Sequence, residues 1–446
     1  MGTATIEARD PSTPTRPSVA IVGGGIAGLT AALGLQGTCR TVVFEARERV
    51  GGHILPHAVT DRQGHPHAVD TAFVVFVPET YPRFTALLRH LGVAHAPART
   101  RFRITDDLRG LSFPAGKLLE LCGKELPAAC RRELLALFQV VVRVRREGPG
   151  CIEDVPLSQW LEQRGYRPET IELGVLPWVA SFWGLQPELV LTVSARVALR
   201  EIARNTGPLR MHRVVPSTQG YLDALVAALG DTELRAERAL AVRLHERPRV
   251  DTQSASEAFD RVVVATDAIE ARALLAEAGP RLHEVLGRFR YEPTVAVLHR
   301  DLGDLPADRA EWCTFHHRRR RDADRVRSVT TWMLDLLHEW HDDPTAIERP
   351  TLLATGDPGL VAEARIDPAR VLAVFRHRHL VSTPQVVASL PELPALDAGR
   401  SFTLAGSYLG LGGLHEDALC SGARAADKVR DELGLPPATW PWSSEA

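Results

Sequence analysis

The sequence predicts an α/β fold: a Rossmann-like sheet assembled from separated parts of the chain, with largely helical and β-sheet segments inserted between them. Three stretches carry this. A strand, glycine turn, helix, strand and acid follow one another near the N-terminus. A continuously apolar strand lies past residue 260, and a strand leads through glycines into a helix near the C-terminus.

The elements follow in order. Residues 1–17 are polar, with no apolar leader-like run, and read as a disordered tail. Ser18-Val19-Ala20-Ile21-Val22 is a β-leaning run that ends in Gly23-Gly24-Gly25-Ile26-Ala27-Gly28. Helical spacing takes over through Leu35, and Thr41-Val42-Val43-Phe44 closes the unit on Glu45. Gly23 suits a tight turn, Gly25 admits a pyrophosphate close to the backbone, and Gly28 lets the helix approach its strand. The helix N-terminus offers free N–H groups to phosphate, and Glu45, seventeen residues after Gly28, can accept from a ribose diol. Gly51-Gly52-His53 gives a second close backbone approach. A nicotinamide nucleotide does not need one and a longer cofactor does, which favours FAD over NAD.

From about Tyr81 to Arg213 apolar residues recur at helical intervals, as in Leu134, Leu137, Phe138 and Val141. Trp178, Phe182 and Trp183 form an aromatic cluster, either core or the wall of an apolar pocket. Strands return with Ala239–Leu244 and Arg261–Thr266, and again from Pro293. The basic run Arg318–Arg321 reads as a solvated loop. Ser401–Gly406 is a strand leading through Gly410, Gly412 and Gly413 to a helix that starts near His415.

Composition narrows the function. At 446 residues the chain calls for two or three domains, and 45% hydrophobic with 24% charged residues is the balance of a globular enzyme. With 53 basic and 55 acidic residues the net charge is −2, which gives no support to a nucleic-acid partner. Only Lys117, Lys124 and Lys428 can serve lysine chemistry. Six cysteines without Cys-x-x-Cys or His/Cys ligand spacing argue against a disulfide scaffold or a metal site and fit a reducing compartment. No apolar stretch reaches membrane-spanning length, so a cytoplasmic protein without an integral membrane segment is expected. The sequence sets no oligomeric state.

Across residues 18–435 the chain resembles the FAD-dependent amine-oxidase/phytoene-desaturase superfamily, most nearly its bacterial NAD/FAD-binding, amine-oxidoreductase-like flavoproteins. The motifs are Gly23 to Glu45, Gly51-Gly52-His53, Val69-Asp70-Thr71-Ala72-Phe73, Val262 to Thr266 and Ala405 to Ser421. The resemblance implies a glutathione-reductase-type FAD-binding domain from 18–80, 214–290 and 396–446, and an amine-oxidase-like substrate domain from 81–213 and 291–395. It implies FAD held by Gly23, Gly25, Gly28, Glu45, Arg47, Gly51, Gly52, His53, Val242, Gly406, Asp417 and Ala418. A substrate pocket would draw on Phe73, Trp178, Phe182, Trp183 and Leu411.

Departures from the family shape the expected reaction. Leu409, Leu411 and Leu414 stand in a usually aromatic stretch, leaving mainly Tyr408, and Thr294 to His299 lacks the family's lysine. No cysteine lies between Gly406 and Asp417, so FAD is expected to be non-covalent. The expectation is an FAD-dependent oxidoreductase, a dehydrogenase or oxidase, that takes hydride from a largely apolar small molecule, lipid-like or a natural-product intermediate. Two alternatives stand beside it: a redox-neutral double-bond isomerase of an unsaturated fatty acid or polyketide, and an inert flavin-binding scaffold. His415 can move a proton near neutral pH or merely support the helix. Tyr408 can orient a substrate or simply pack.

Overall fold

The computed structural model describes residues 16–54, 56–60, 66–115, 125–183, 185–205, 210–303, 305–322, 325–338, 352–356 and 366–443. The expected tail lies outside them except for two residues. Arg16 pairs with Asp231 at 2.6 Å, and the Pro17 carbonyl accepts from Arg40 N at 2.8 Å.

Five strands form one parallel sheet in the order Phe402–Leu404, Arg261–Val264, Ser18–Val22, Arg40–Phe44, Glu233–Arg235. Strands covered on both faces need continuous apolar runs, and Val19-Ala20-Ile21 and Val262-Val263-Val264 are fully buried. Helix Ile26–Leu35 is buried at every position but Leu33. It is covered by helix His415–Glu432, which comes so close that a Cβ on Gly422 would lie 2.1 Å from the Ala27 carbonyl oxygen. Beyond that helix the chain doubles back. Trp440 packs over Gly34 and donates to Asp427 at 2.9 Å, and Arg430 donates to the Gly34 carbonyl at 2.8 Å.

A second, seven-stranded sheet runs Val371–Leu380, Tyr291–His299, Leu352–Gly356, Arg325–Met333, Phe315–Asp322, Phe102–Asp106, Leu111–Pro114. Two readings of the sequence change here. The segment expected to be helical does hold helices Ala128–Glu147, Leu157–Gln163, Leu176–Trp183 and Ala195–Asn205, but it also supplies strands at Phe102–Asp106 and Leu111–Pro114. Their local pattern is too short to outvote the helical periodicity around them, and pairing with Phe315–Asp322 decides it.

The basic run Arg318–Arg321 is strand rather than loop. Arg319 reaches Asp106 at 3.1 Å and Glu172 at 2.9 Å, and Arg109 joins the same two acids at 2.6 Å each. Burial alone would raise the Asp106 carboxyl; the two guanidinium groups outweigh it and hold the group below the usual carboxylate range. Val242, expected among the residues that hold FAD, sits in a separate antiparallel sheet of Ala241–Arg243, Arg249–Asp251 and Ser256–Ala258. Among the described residues no helix is long and apolar enough to cross a membrane.

Candidate active site

A cavity of about 770 Å³ runs from the glycine turn of the parallel sheet to the inner face of the seven-stranded sheet. Its first end is built of backbone. Gly23 has φ +111°, and a Cβ there would lie 2.6 Å from the Ala265 carbonyl oxygen, so glycine is required. Gly28 does not line the cavity. It is the packing glycine of the turn, where a Cβ would lie 1.9 Å from the Gly23 carbonyl oxygen. Gly25 is different, because the nearest atom to a Cβ there is Gly52 Cα at 3.9 Å, and the space is cavity. Gly51 N donates to the Gly24 carbonyl at 2.7 Å, which brings the second glycine pair against the first.

This end suits the pyrophosphate and ribose of a dinucleotide. Helix Ile26–Leu35 begins at Gly25 with no side-chain cap, and Ile26 and Ala27 line the cavity, so its first N–H groups open onto it. Glu45 stands at the end of its strand with Oε2 accepting from Gly24 N at 2.9 Å and Oε1 from Arg47 N at 3.0 Å. Arg47 donates to the Gly52 carbonyl at 3.4 Å. Two further carboxylates among the described residues line the cavity and are engaged: Arg378 pairs with Asp267 at 2.8 Å and with Glu270 at 3.1 Å.

The second end is built of side chains. Phe102 stacks on Phe315 with centroids 4.5 Å apart, and Trp332 meets Phe315 edge-on at 5.8 Å. Trp183 closes the wall and is fixed by donating to the Gly412 carbonyl at 2.9 Å. Phe73, which also lines the cavity, stacks on His415 at 4.1 Å.

Between the two ends stand three imidazoles. His53 faces His377 at 5.2 Å and His379 at 5.8 Å, and His379 Nδ1 lies 2.9 Å from Thr294 Oγ1. Burial lowers His377 to about 4 and His379 to about 3, with the neighbouring His53 adding to both. His53 is lowered too, by burial and then by Arg47. All three are neutral near pH 7.

Of the residues singled out in the sequence, Gly23, Gly25, Glu45, Arg47, Gly51, Gly52, His53, Gly406, Ala418, Phe73, Trp183 and His415 line the cavity. Others do not. Val242 is buried in its separate sheet, and Arg238 and Ala239 line the cavity in its place. Asp417 caps its own helix, accepting from Leu414 N at 3.1 Å. Tyr408 is fully buried, edge-on to Phe289 at 5.4 Å, which removes it as a substrate-orienting group.

Trp178 is buried behind Phe102 at 4.9 Å. It and Trp183 are five residues apart on one helix, about 140° around the axis, so only one of them reaches the cavity. Leu411 packs on the helical core, and the Phe182 side chain lies outside the described residues. Burial lowers His415 to about 3, which withdraws the expectation that it gains and loses a proton near neutral pH. Sequence reasoning missed His377, His379, Phe102 and Phe315. The alternation Phe375, His377, His379 was the available signal, since residues two apart on a strand share a face.

Residues 21–91 match the NAD(P)-binding Rossmann-like domain family. No curated protein matches the chain. Solved structures do resemble it: putrescine oxidase bound to putrescine has a TM-score of 0.65 at 16% identity, over 94% of this chain and 100% of that one. Cyclohexylamine oxidase from Brevibacterium oxydans has a TM-score of 0.64 at 18% identity, over 94% and 100%. The fatty acid isomerase of P. acnes, described as producing CLA, has a TM-score of 0.66 at 13% identity, over 94% and 99%.

Proposed function

We propose that this chain, which has the fold of the FAD-dependent amine-oxidase superfamily, is an FAD-dependent oxidoreductase that takes hydride from a largely apolar, uncharged small molecule. One observation carries the reading: a single cavity joins an uncapped helix N-terminus flanked by glycines to a wall of aromatic side chains.

Residues 18–80, 214–290 and 396–446 would form the cofactor domain, and 81–213 with 291–395 the substrate domain. The Gly23–Gly25 turn and the first N–H groups of helix Ile26–Leu35 would receive the pyrophosphate, and Glu45 the adenosine ribose. Gly51-Gly52 and Arg47 would follow the phosphates toward Gly406 and Ala418. With no cysteine from Gly406 to Asp417, FAD would be held without a covalent bond. FAD would supply the hydride acceptor. Phe102, Phe315, Trp332 and Trp183 would bury the substrate, orient its reacting carbon and exclude water.

Among the described residues, the substrate end offers a cationic amine no counter-charge. Each cavity carboxylate, Glu45, Asp267 and Glu270, is engaged at the nucleotide end, and Lys428 is bonded to Asp397 at 2.5 Å, away from the cavity. That favours an uncharged substrate held by apolar contact. The likeness to the P. acnes isomerase gives weight to a second reading, in which hydride leaves one carbon and returns to another.

An absorbance spectrum of the purified protein, followed by acid release of the cofactor, tests the first step. Flavin bands and free FAD are expected, then anaerobic bleaching by an unsaturated alcohol or lipid. Conversion without lasting bleaching selects isomerisation. A colourless protein that refuses added FAD overturns both readings.

A further inference from the structure

We propose that His415 is a fixed, neutral hydrogen-bond donor to the cavity, its tautomer set by the Tyr221 hydroxyl, and that it serves the negative charge a bound flavin gains on reduction. The last clause rests on the FAD reading; the tautomer does not.

Packing fixes the ring. Phe73 lies against one face at 4.1 Å with an angle of 14°, and the edge contact with Phe84 is 4.8 Å. Tyr221 is fully buried, and its hydroxyl meets His415 Nε2 at 3.5 Å. Burial raises this phenol well above its ordinary value, so it keeps its proton, and a phenol that keeps its proton can donate it. With the phenol as the donor in this contact, Nε2 is the acceptor. In a neutral imidazole the other nitrogen, Nδ1, must carry the hydrogen.

Among the described residues, the acids adjacent in the helix are already engaged. Glu416 is committed to Arg83 N and Phe84 N at 3.0 Å each, and Asp417 to Leu414 N at 3.1 Å. The titratable side chain that acts on the ring from across the cavity is His53, which is no anion near pH 7. The ring is also the first residue of the 18-residue helix His415–Glu432, whose N-terminus adds partial positive charge on the same side as the cavity-lining Gly406 and Ala418. A neutral donor beside a helix N-terminus suits an oxygen or nitrogen that becomes negative, and does not suit proton transfer.

Two measurements test this. Nitrogen-15 spectra of histidine-labelled protein, with His415 assigned by its loss in His415→Gln, should show one ring neutral from pH 5 to 8 in the Nδ1–H form. Tyr221→Phe should move that ring toward the Nε2–H form. A ring that titrates in this range, or a tautomer indifferent to Tyr221→Phe, overturns the assignment whether or not FAD is bound.

In the holoprotein, His415→Phe should shift the flavin midpoint potential negative at unchanged FAD content, and His415→Gln, whose amide still donates, should recover part of the shift. An unchanged potential in a fully loaded His415→Phe, or a Gln variant no better than Phe, overturns the service to flavin. Protein that takes up no FAD overturns that clause together with the FAD reading and leaves the nitrogen spectra to decide the tautomer.

Discussion

The two ends of the cavity are made of different material. At the nucleotide end the chain offers its backbone, in the Gly23–Gly28 turn, Gly51-Gly52 and the uncapped start of helix Ile26–Leu35, and the geometry is enforced at Gly23 and Gly28 by contacts that leave no room for a Cβ. At the substrate end it offers side chains from three distant parts of the chain, through Phe102, Trp183 and the paired strands that carry Phe315 and Trp332. A backbone site tolerates few residues and binds a constant ligand. A side-chain site can be re-cut without moving the sheet behind it. The cofactor reading therefore rests on steric necessity, and the substrate reading on surface chemistry.

The largest expected effect lies behind the substrate end. Asp106→Ala leaves Arg109 and Arg319 without their shared buried partner and should cost about 3–5 kcal/mol, with Asp106→Asn losing less, measured by urea unfolding. Acid should act in the same direction. Asp106, held low, contributes stability above its unfolded value that is lost as pH falls through its folded one. His377, His379 and His415 are depressed from 6.5, so their contribution is complete above about pH 6.5 and falls toward pH 4, where the unfolded chain binds more protons. A melting temperature that falls between pH 6.5 and 4.5, and falls less in His377→Asn, is the expected outcome.

Next come the two glycines that look alike in sequence. Gly28→Ala should destabilise by about 1–3 kcal/mol, because the added methyl meets the Gly23 carbonyl. Gly25→Ala should leave the melting temperature of FAD-free protein nearly unchanged yet weaken FAD retention about tenfold, or about 1.4 kcal/mol. Equal behaviour of the two would erase the division of labour argued for the turn. The smallest effect should come from the far end: Phe315→Leu should keep FAD content intact while lowering affinity for an apolar ligand a few-fold, read by calorimetry with geraniol.

How much was legible in the sequence follows the same division. The glycine turn, Glu45 and the final strand and helix could be read because a backbone site writes its demands into adjacent residues. The seven-stranded sheet was only partly legible. Phe102–Asp106 lies amid helical text, and its partner Phe315–Asp322 is dominated by arginines whose acids, Asp106 and Glu172, are far away in the chain. Tyr408 and Trp178 misled because an aromatic side chain near a site in sequence can turn either way, and here both turn into the core. The imidazole group escaped because His53 and His379 meet only through the fold.

The clasp of the C-terminal segment over helix Ile26–Leu35 has a consequence for biosynthesis. That helix leaves the ribosome well before the helix that covers it and the Trp440 that packs over Gly34. Until those later residues emerge, an apolar segment next to the phosphate turn stands uncovered, available to chaperones or to aggregation. A truncation before Trp440 should consequently yield a chain that captures FAD poorly even though every cofactor contact proposed above is still encoded.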